Sequence, residues 1–241
     1  MPLYRVAADG FEAVEQTSFI AERLLERRDL QRLLRANISV IGDDLMVISE
    51  EFGEWEESNR RIDLLCLDKQ ARLVVVEIKR TEDGGHMELQ AIRYAAMVSS
   101  MTLDQAIAAY AKLLAISEED VTARREILEF LELESTEEAQ LADGVRIVLV
   151  SANFSAELTS SVIWLNRQGI DLTCFRLKPY RMGQELLIDV TQTIPLPEAA
   201  DYEIKIRTRQ AEKVAYFSPS WTTFQAERGR DFSVIVDGIS N

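Results

Sequence analysis

Histidine and cysteine are scarce in this sequence, which has one histidine, His86, and two cysteines, Cys66 and Cys174, in 241 residues. A zinc site takes three or four ligands, mostly cysteine and histidine, so the composition argues against one. A histidine-based catalytic triad would have to rest on His86 alone. Both cysteines lie inside apolar, strand-like stretches. We therefore expect two buried free thiols in a reducing compartment and no disulfide framework.

Positive charge is also in short supply, because 27 Lys and Arg stand against 41 Asp and Glu, for a formal net charge of −14. Nonspecific attraction to nucleic acid normally needs a basic surface, so the total charge argues against it and leaves only a local basic groove. No apolar stretch is long enough to cross a bilayer, and the first residues lack the pattern of a signal peptide. We therefore expect a cytoplasmic protein without membrane contact.

Length and composition fit one large domain with a short appendage. The hydrophobic content of 47% and charged content of 28% are ordinary for a globular protein with a core. No internal repeat or low-complexity segment is present. The stretch PLPEAADY, with Pro195 and Pro197, marks the end of the compact region. We predict a domain over residues 1–200 and a tail over residues 201–241 that docks, dimerises or begins a further module.

Hydrophobic periodicity predicts the elements of the first half. After a lead-in over residues 1–10, apolar residues at helical spacing predict a helix over residues 11–36, with a break possible near residues 26–29. Residues 45–52 then form a strand. Two more strands, over residues 60–67 and 72–79, are joined by a tight turn.

The second half is predicted to alternate helices and strands. The stretch MELQAIRYAAMVSSM predicts a helix, and the following residues to 133 are mostly helical, with a helix start at Ser117. Residues 145–152 are almost continuously apolar, which is typical of a strand buried on both faces. A helix over residues 156–168 and two further strands follow. This alternation favours a parallel element in the sheet.

Two acids and a lysine occupy the paired strands 60–67 and 72–79. Alternate side chains of a strand share a face, so Glu77 and Lys79 project together. If residues 69–71 form the loop, Asp63 lies opposite Glu77, with the Cβ atoms roughly 5 Å apart. Two carboxylates at that separation repel, and a divalent cation such as Mg²⁺ would relieve the repulsion. The alternative is a simple surface pair of Glu77 and Lys79 at a strand end.

Two further pairs of polar residues, Gln90 with Tyr94 and Glu22 with Glu26, are each spaced one helical turn apart. Gln90 and Tyr94 share a face of the helix after the paired strands, where they either serve the site or pack locally. Glu22 and Glu26 share a face of the first helix. The alternative to a site role for these two acids is a solvated face, on which they pair with arginines of their own helix. Those arginines are Arg23, Arg27 and Arg28.

The order of these elements and motifs resembles that of a known superfamily. Asp63, then Glu77-Ile78-Lys79, then Gln90-x-x-x-Tyr94 follow one another on a helix, three antiparallel strands, a helix and a buried strand. This resembles the PD-(D/E)xK, or restriction-endonuclease-like, nuclease superfamily. The helix motif resembles the RecB-type branch, and the strings RIDLL and RLVVVEIKR are similar to the NucS-type endonuclease domain. The similarity covers roughly residues 20–115, with IVLVS completing the core.

The resemblance implies an α/β fold, in which helices flank a mixed central sheet with an αβββαβ core and an αβ extension. It also implies a nuclease that uses Mg²⁺ or Mn²⁺ to hydrolyse phosphodiester bonds of DNA in repair, restriction or defence. Asp63 and Glu77 would bind the metal together with the backbone carbonyl of Ile78. Lys79 would position or help to deprotonate the attacking water. One departure is Ile62, which precedes Asp63 where the superfamily name has proline.

The resemblance also implies roles for residues around this set. Gln90 and Tyr94 would orient Lys79 or contact the phosphate. A helix-borne glutamate often joins such sites, and Glu26 is the first choice, before Glu22.

Arginines flank the proposed site and could contact DNA phosphates, single- or double-stranded. They are Arg60, Arg61, Arg80 and Arg93. The alternative for them is ordinary charge balance.

At the level of the whole protein, one alternative is a nuclease fold that no longer cuts and binds nucleic acid or protein. Another is an unrelated acidic α/β binding protein. Homodimers are common among such folds, and the tail could serve as a homodimer interface.

Overall fold

The computed structural model describes residues 2–53, 61–81, 86–117, 120–133 and 140–196. One eight-stranded mixed sheet forms the centre, and helices cover both of its faces. The core order is helix, three strands, helix and strand, followed by a further helix and strands. The expected α/β fold class, with its αβββαβ core and αβ extension, is confirmed.

The strands are β1 Leu3–Ala7, β2 Gly10–Gln16, β3 Leu45–Phe52, β4 Ile62–Asp68, β5 Leu73–Lys79, β6 Val145–Ser151, β7 Leu172–Met182 and β8 Glu185–Ile194. A π-helical turn, Glu26–Gln31, runs into α1 Arg32–Ala36, and a short 3₁₀ turn, Ile38–Val40, follows. The remaining helices are α2 Met87–Val98, α3 Leu103–Leu113, α4 Val121–Leu131 and α5 Ala156–Arg167.

The strand order across the sheet is β1-β2-β7-β6-β5-β4-β3, and β8 also pairs with β7. Strands β3, β4 and β5 are mutually antiparallel, whereas β5, β6 and β7 run parallel to one another. Central parallel strands are buried on both faces, which explains the nearly continuous apolar sequence of β6. The predicted parallel element is therefore confirmed.

The two faces of the sheet carry separate cores. On one face, Leu65 and Val75 pack with residues of helices α2 to α5. On the other, Leu64 and Val74 pack with Phe19 and with residues of the first helical segment. Neighbouring residues of β4 and β5 thus point to opposite faces, as the period of two in a strand requires.

The N-terminal part differs from the prediction. Residues 1–10 are not a plain lead-in, and residues 11–16 are not helical, because β1 and β2 form an antiparallel hairpin. Asp9-Gly10 beside alternating residues is a hairpin signal that the helical spacing of later leucines obscured. Helical structure begins only at Glu26, where the prediction allowed a break.

One smaller detail also differs from the prediction. The helix start expected at Ser117 lies at Asp120, whose carboxylate accepts a hydrogen bond of 2.8 Å from the Thr122 N–H. Asp120 is the better N-cap here, since its carboxylate accepts a backbone N–H of the first turn. The predicted loop of residues 69–71 is confirmed, because the Asp68 N–H donates to the Arg72 carbonyl at 3.0 Å and closes the turn.

Cys66 and Cys174 are both buried and free, as expected. None of the helices in the described ranges is both long and apolar enough to cross a membrane. Residues 201–241 lie outside the described residues. The predicted tail and homodimer therefore stay predictions.

Candidate functional site

Asp63 and Glu77 occupy facing positions on β4 and β5. The antiparallel register pairs Leu64 with Val76 and Leu65 with Val75. One residue further along the same register, Asp63 stands opposite Glu77. The predicted pairing is therefore confirmed, with residues 69–71 as the loop.

Asp68 holds the loop that determines this register. Its Oδ1 accepts hydrogen bonds from the backbone N–H groups of Gln70, at 3.0 Å, and Arg72, at 2.9 Å. Its Oδ2 accepts another from Arg72 Nε at 2.9 Å. Because a slip of one residue would send one acid to the other face, this loop anchor also positions the two acids at the far end of the strands.

Asp63 is 5% exposed, and its Oδ2 accepts a hydrogen bond of 2.7 Å from the Ile78 N–H. Burial raises the pKa of Asp63 to about 6, because a buried carboxylate loses its hydration. The Ile78 N–H and the charge of Lys79 oppose this rise, whereas the negative charges of Glu26 and Glu51 add to it.

Glu77 is fully buried, and its two oxygens have different surroundings. Oε1 accepts a hydrogen bond of 3.0 Å from Lys79 Nζ, whereas Oε2 has no hydrogen-bond partner. Burial is the main cause that raises the pKa of Glu77 to about 8, and the charge of Asp63 is the next. A buried carboxylate oxygen without a partner is costly unless a proton or a cation neutralises it.

Lys79 joins this pair of acids to a third one. Its Nζ lies 3.0 Å from Glu77 Oε1 and 3.5 Å from Glu26 Oε1. Burial acts to lower the pKa of Lys79, but the neighbouring carboxylates, Glu77 first, outweigh it and raise the pKa. Lys79 is therefore an ammonium group at neutral pH. Its side chain is 24% exposed, so solvent reaches it.

Glu26 comes to this cluster from the start of the π-helical turn, 53 residues before Lys79. Its Oε2 accepts a hydrogen bond of 3.1 Å from the Arg80 N–H. Glu22 lies elsewhere and pairs with Arg181. The alternative in which both acids pair with arginines of their own helix is thus not what the structure shows.

Gln90 and Tyr94 contact each other on one face of α2. Gln90 Nε2 donates to Tyr94 Oη at 3.1 Å. The ring of Tyr94 is 1% exposed and belongs to the core beneath α2. The shared face is confirmed, and their roles toward Lys79 or a phosphate stay predictions.

The four predicted phosphate-binding arginines have different surroundings. Arg61 donates to the Glu51 carbonyl at 3.3 Å. Arg80 Nη1 donates to the Leu24 carbonyl at 3.5 Å, so this side chain is hydrogen-bonded to the segment before the first helix. Arg93 is exposed on α2. Arg60 lies outside the described residues.

Glu51 is a neighbour of the site that the sequence did not reveal. The β3–β4 register pairs Glu50 with Leu64 and Phe52 with Ile62, which places Glu51 opposite Asp63. Its φ of +51° is unusual for a residue without glycine's freedom. The β3–β4 register shifts between Val47 and Ser49, and this shift brings Glu51 opposite Asp63. The apolar pattern of the sequence does not reveal such a shift, so Glu51 could not be predicted as a neighbour of the site.

The donor atoms of the site fit a hard divalent cation. Among the described residues, no three acidic, histidine or cysteine side chains are grouped as a metal cluster. Asp63, Glu77 and the carbonyl of Ile78 supply only oxygens, which suits Mg²⁺ or Mn²⁺. The unpartnered Oε2 of Glu77 provides a place where a cation would satisfy a buried charge.

Comparison with known proteins gives structural likenesses only. No protein-family model and no curated protein sequence matches the chain. A solved complex of EndoMS with double-stranded DNA is similar at a TM-score of 0.35 and 16% identity, over 60% of this chain and 42% of that one. A repair endonuclease from Pyrococcus abyssi is similar at a TM-score of 0.33 and 19% identity, over 58% and 42%. The chain thus spans less than half the length of either protein, and these likenesses carry no activity across to it.

Proposed function

We propose that this protein is a nuclease that hydrolyses phosphodiester bonds of DNA with Mg²⁺ or Mn²⁺. The supporting observation is one cluster at the end of β4 and β5, in which two buried acids face each other beside a lysine. Its members are Asp63, Glu77 and Lys79. This is the set of groups that metal-assisted hydrolysis requires, and it needs no histidine.

In this proposal Asp63, Glu77 and the carbonyl of Ile78 hold the cation. When bound, the metal lowers the pKa of a water molecule and stabilises negative charge on a phosphoryl oxygen. The Ile78 N–H holds Asp63 in place through its 2.7 Å hydrogen bond. The two acids can then bind without a large rearrangement of the strands, which reduces the cost of ordering the site.

Lys79 acts in this proposal as a charged hydrogen-bond donor. Because its pKa is raised, it carries a proton at neutral pH and can orient the attacking water or a phosphate oxygen. Glu26 holds the ammonium group from the other side and also accepts from the Arg80 N–H. Gln90 and Tyr94 would support this end of the strands from α2.

The test is incubation of single- and double-stranded DNA with the protein in Mg²⁺, Mn²⁺ or EDTA. We expect metal-dependent cleavage that Asp63→Asn, Glu77→Gln and Lys79→Ala each reduce at least a hundredfold. Lys69→Ala is the matched control, because Lys69 lies in the loop at the opposite end of the same strands and donates to the Phe130 carbonyl at 2.6 Å. Equal cleavage by wild type and Lys79→Ala would exclude this site as the catalyst.

A nuclease fold that binds without cutting is the competing function. It predicts that DNA binds equally well to wild type and Asp63→Ala, and that no metal produces cleavage. Metal-dependent cleavage that is lost in Asp63→Ala would exclude it.

A further inference from the structure

Positive charge is concentrated in one short segment of this acidic chain. Residues 23–35 contain five arginines and only two acids, Glu26 and Asp29, although the whole chain carries a net charge of −14. The arginines are Arg23, Arg27, Arg28, Arg32 and Arg35. Such a local excess is the feature through which an acidic protein can still attract a polyanion.

The two acids of this segment offset only part of its positive charge. Glu26 turns toward Lys79 and the Arg80 N–H. The side chains of Arg27 and Arg28 are 69% and 70% exposed. Arg27 Nε lies 3.2 Å from Glu51 Oε1, and Arg28 pairs with Asp29 at 3.0 Å. In each pair the arginine is exposed, while the carboxylate of Glu51 is 26% exposed and that of Asp29 is 13% exposed. A guanidinium group has five N–H donors, so an arriving phosphate can bind it from the solvent side and compete with the carboxylate.

These arginines border a cavity of about 520 Å³. Its lining residues are Arg27, Arg28, Gln31, Glu50, Glu51 and Arg61. Several of them adjoin the candidate site directly. Arg27 follows Glu26 in the chain, Arg61 lies two residues before Asp63, and Glu51 stands opposite Asp63 in the register. The cavity therefore opens beside the acids.

A second cavity, of about 400 Å³, continues from the same residues. It shares Glu50, Glu51 and Arg61 with the first and adds Arg35 and Lys112. Because they share these residues, the two cavities adjoin, and we call the surface that they form the groove. Its charged lining residues are Arg27, Arg28, Arg35, Arg61 and Lys112, together with Glu50 and Glu51.

We propose that Arg27, Arg28 and Arg61 form a phosphate-binding path that leads a nucleic-acid strand to Asp63 and Glu77. This inference rests on the proposed nuclease function. Guanidinium groups bind phosphate oxygens through two parallel hydrogen bonds, and this geometry suits exchange of a carboxylate for a phosphate. Glu51 releases Arg27 when a phosphate enters, so Glu51 weakens binding in the free protein.

The experiment measures binding of a labelled oligonucleotide by fluorescence anisotropy, in Ca²⁺ or EDTA, over a series of salt concentrations. The double variant Arg27→Ala/Arg28→Ala is compared with Arg5→Ala/Arg124→Ala. The control arginines are also exposed and ion-paired, to Glu12 and Asp104, but lie outside the groove. Each lost phosphate contact reduces the slope of log K against log salt by about 0.7 for a single strand or about 0.9 for a duplex.

We expect the groove variant to bind at least tenfold more weakly at low salt, with a slope reduced by one to two contacts. The control variant keeps the slope of the wild type. Glu51→Gln, which frees Arg27, is expected to bind severalfold more tightly, whereas Glu12→Gln, which removes the same charge from a carboxylate that pairs with Arg5 outside the groove, stays close to wild type. The Glu51 result does not depend on how well the double variant folds.

The phosphate-binding path is excluded if the groove variant keeps the wild-type slope, or if both double variants lose the same affinity for the oligonucleotide. No gain in affinity for Glu51→Gln also overturns the proposed exchange at Arg27. These outcomes are distinct from a failure of the proposed function. If the wild type binds along the path but never cleaves DNA, the nuclease proposal fails and the path remains. If the protein cleaves DNA while the groove variant keeps the salt slope of the wild type, the path is excluded and the nuclease proposal remains.

Discussion

Asp63 Oδ2 accepts a 2.7 Å hydrogen bond from the backbone N–H of Ile78, the residue between Glu77 and Lys79. This contact joins the acid of one strand to the acid and lysine of the next. The hydrogen bond therefore fixes the position of Asp63 relative to the other two groups. Substitutions at Asp63 that keep or remove this hydrogen bond should therefore distinguish its contribution to stability from its contribution to metal binding.

Asp63→Asn should keep the fold and lose the site. The amide oxygen of asparagine can still accept from the Ile78 N–H, but it brings no charge to a cation. Asp63→Ala leaves that buried N–H without a partner, at a cost of about 1–3 kcal/mol. Urea denaturation in EDTA should show this difference between the two variants. Equal unfolding free energies would contradict the role of the hydrogen bond.

The metal-free protein should lose stability as the pH rises from about 5 to about 8. The pKa of Glu77 is raised from 4.5 to about 8 and that of Asp63 from 3.8 to about 6, so the folded state binds more protons than the unfolded state in this range. Stability from these protons is complete below the unfolded pKa values and is lost as the pH passes the folded ones. One such group contributes a slope of at most about 1.4 kcal/mol per pH unit.

The check is the unfolding free energy in EDTA across this pH range for wild type and Glu77→Gln. Glutamine does not titrate, so the variant should show a flatter profile between pH 6 and 8. A matched control is Glu50→Gln, because Glu50 lies two strands away on β3 and pairs with Arg35. Parallel profiles for wild type and Glu77→Gln would contradict the prediction.

Addition of Mn²⁺ should raise the melting temperature, and more strongly at pH 8 than at pH 6. A ligand that binds only the folded state stabilises it, and carboxylates must lose their protons before they bind metal. The raised pKa of Glu77 makes this proton release large near neutral pH. Thermal melts with and without Mn²⁺ measure the effect. Glu77→Gln should remove most of it, and a shift of equal size in that variant would contradict the assignment.

Asp68→Ala should destabilise the protein by about 3 kcal/mol, because it leaves two loop N–H groups without their acceptor and removes one of the two carboxylates that pair with Arg72. Asp68 is fully buried and lies 2.8 Å from Arg72 Nη2, whereas the second carboxylate, that of Asp171, lies 3.0 Å from Arg72 Nη1 and stays in place. Chemical denaturation measures the loss. Lys69→Ala, on the same loop, removes an exposed contact and should cost far less. Similar losses in both variants would show that Asp68 does not anchor the loop.

The site could be predicted from the sequence where its geometry is local. Asp63 and Glu77 lie on strands joined by a short loop. The two-residue period of a strand and the length of that loop were therefore enough to place them opposite each other. The Glu77–Lys79 pair and the Gln90–Tyr94 pair follow from spacing within single elements in the same way. The buried strand β6 was also evident, since strands covered on both faces carry continuous apolar sequence.

The partners that come from elsewhere in the chain could not be assigned in this way. Glu26 contacts Lys79 across 53 residues, and the spacing of the first helix equally allowed pairing with its own arginines. Glu51 faces Asp63 only through the particular register of β3, which includes an irregularity. Such contacts depend on how separate elements pack and on where a strand bulges.

The sequence by itself determined the α/β class, the strand pairing and the acids and lysine at one strand end, because each depends on short-range periodicity. Only the tertiary structure decided that Glu26 turns inward toward Lys79 and that Arg27 and Arg28 face a groove beside the acids. The physical reason is that burial and charge pairing between distant segments are settled by packing, which no local pattern encodes.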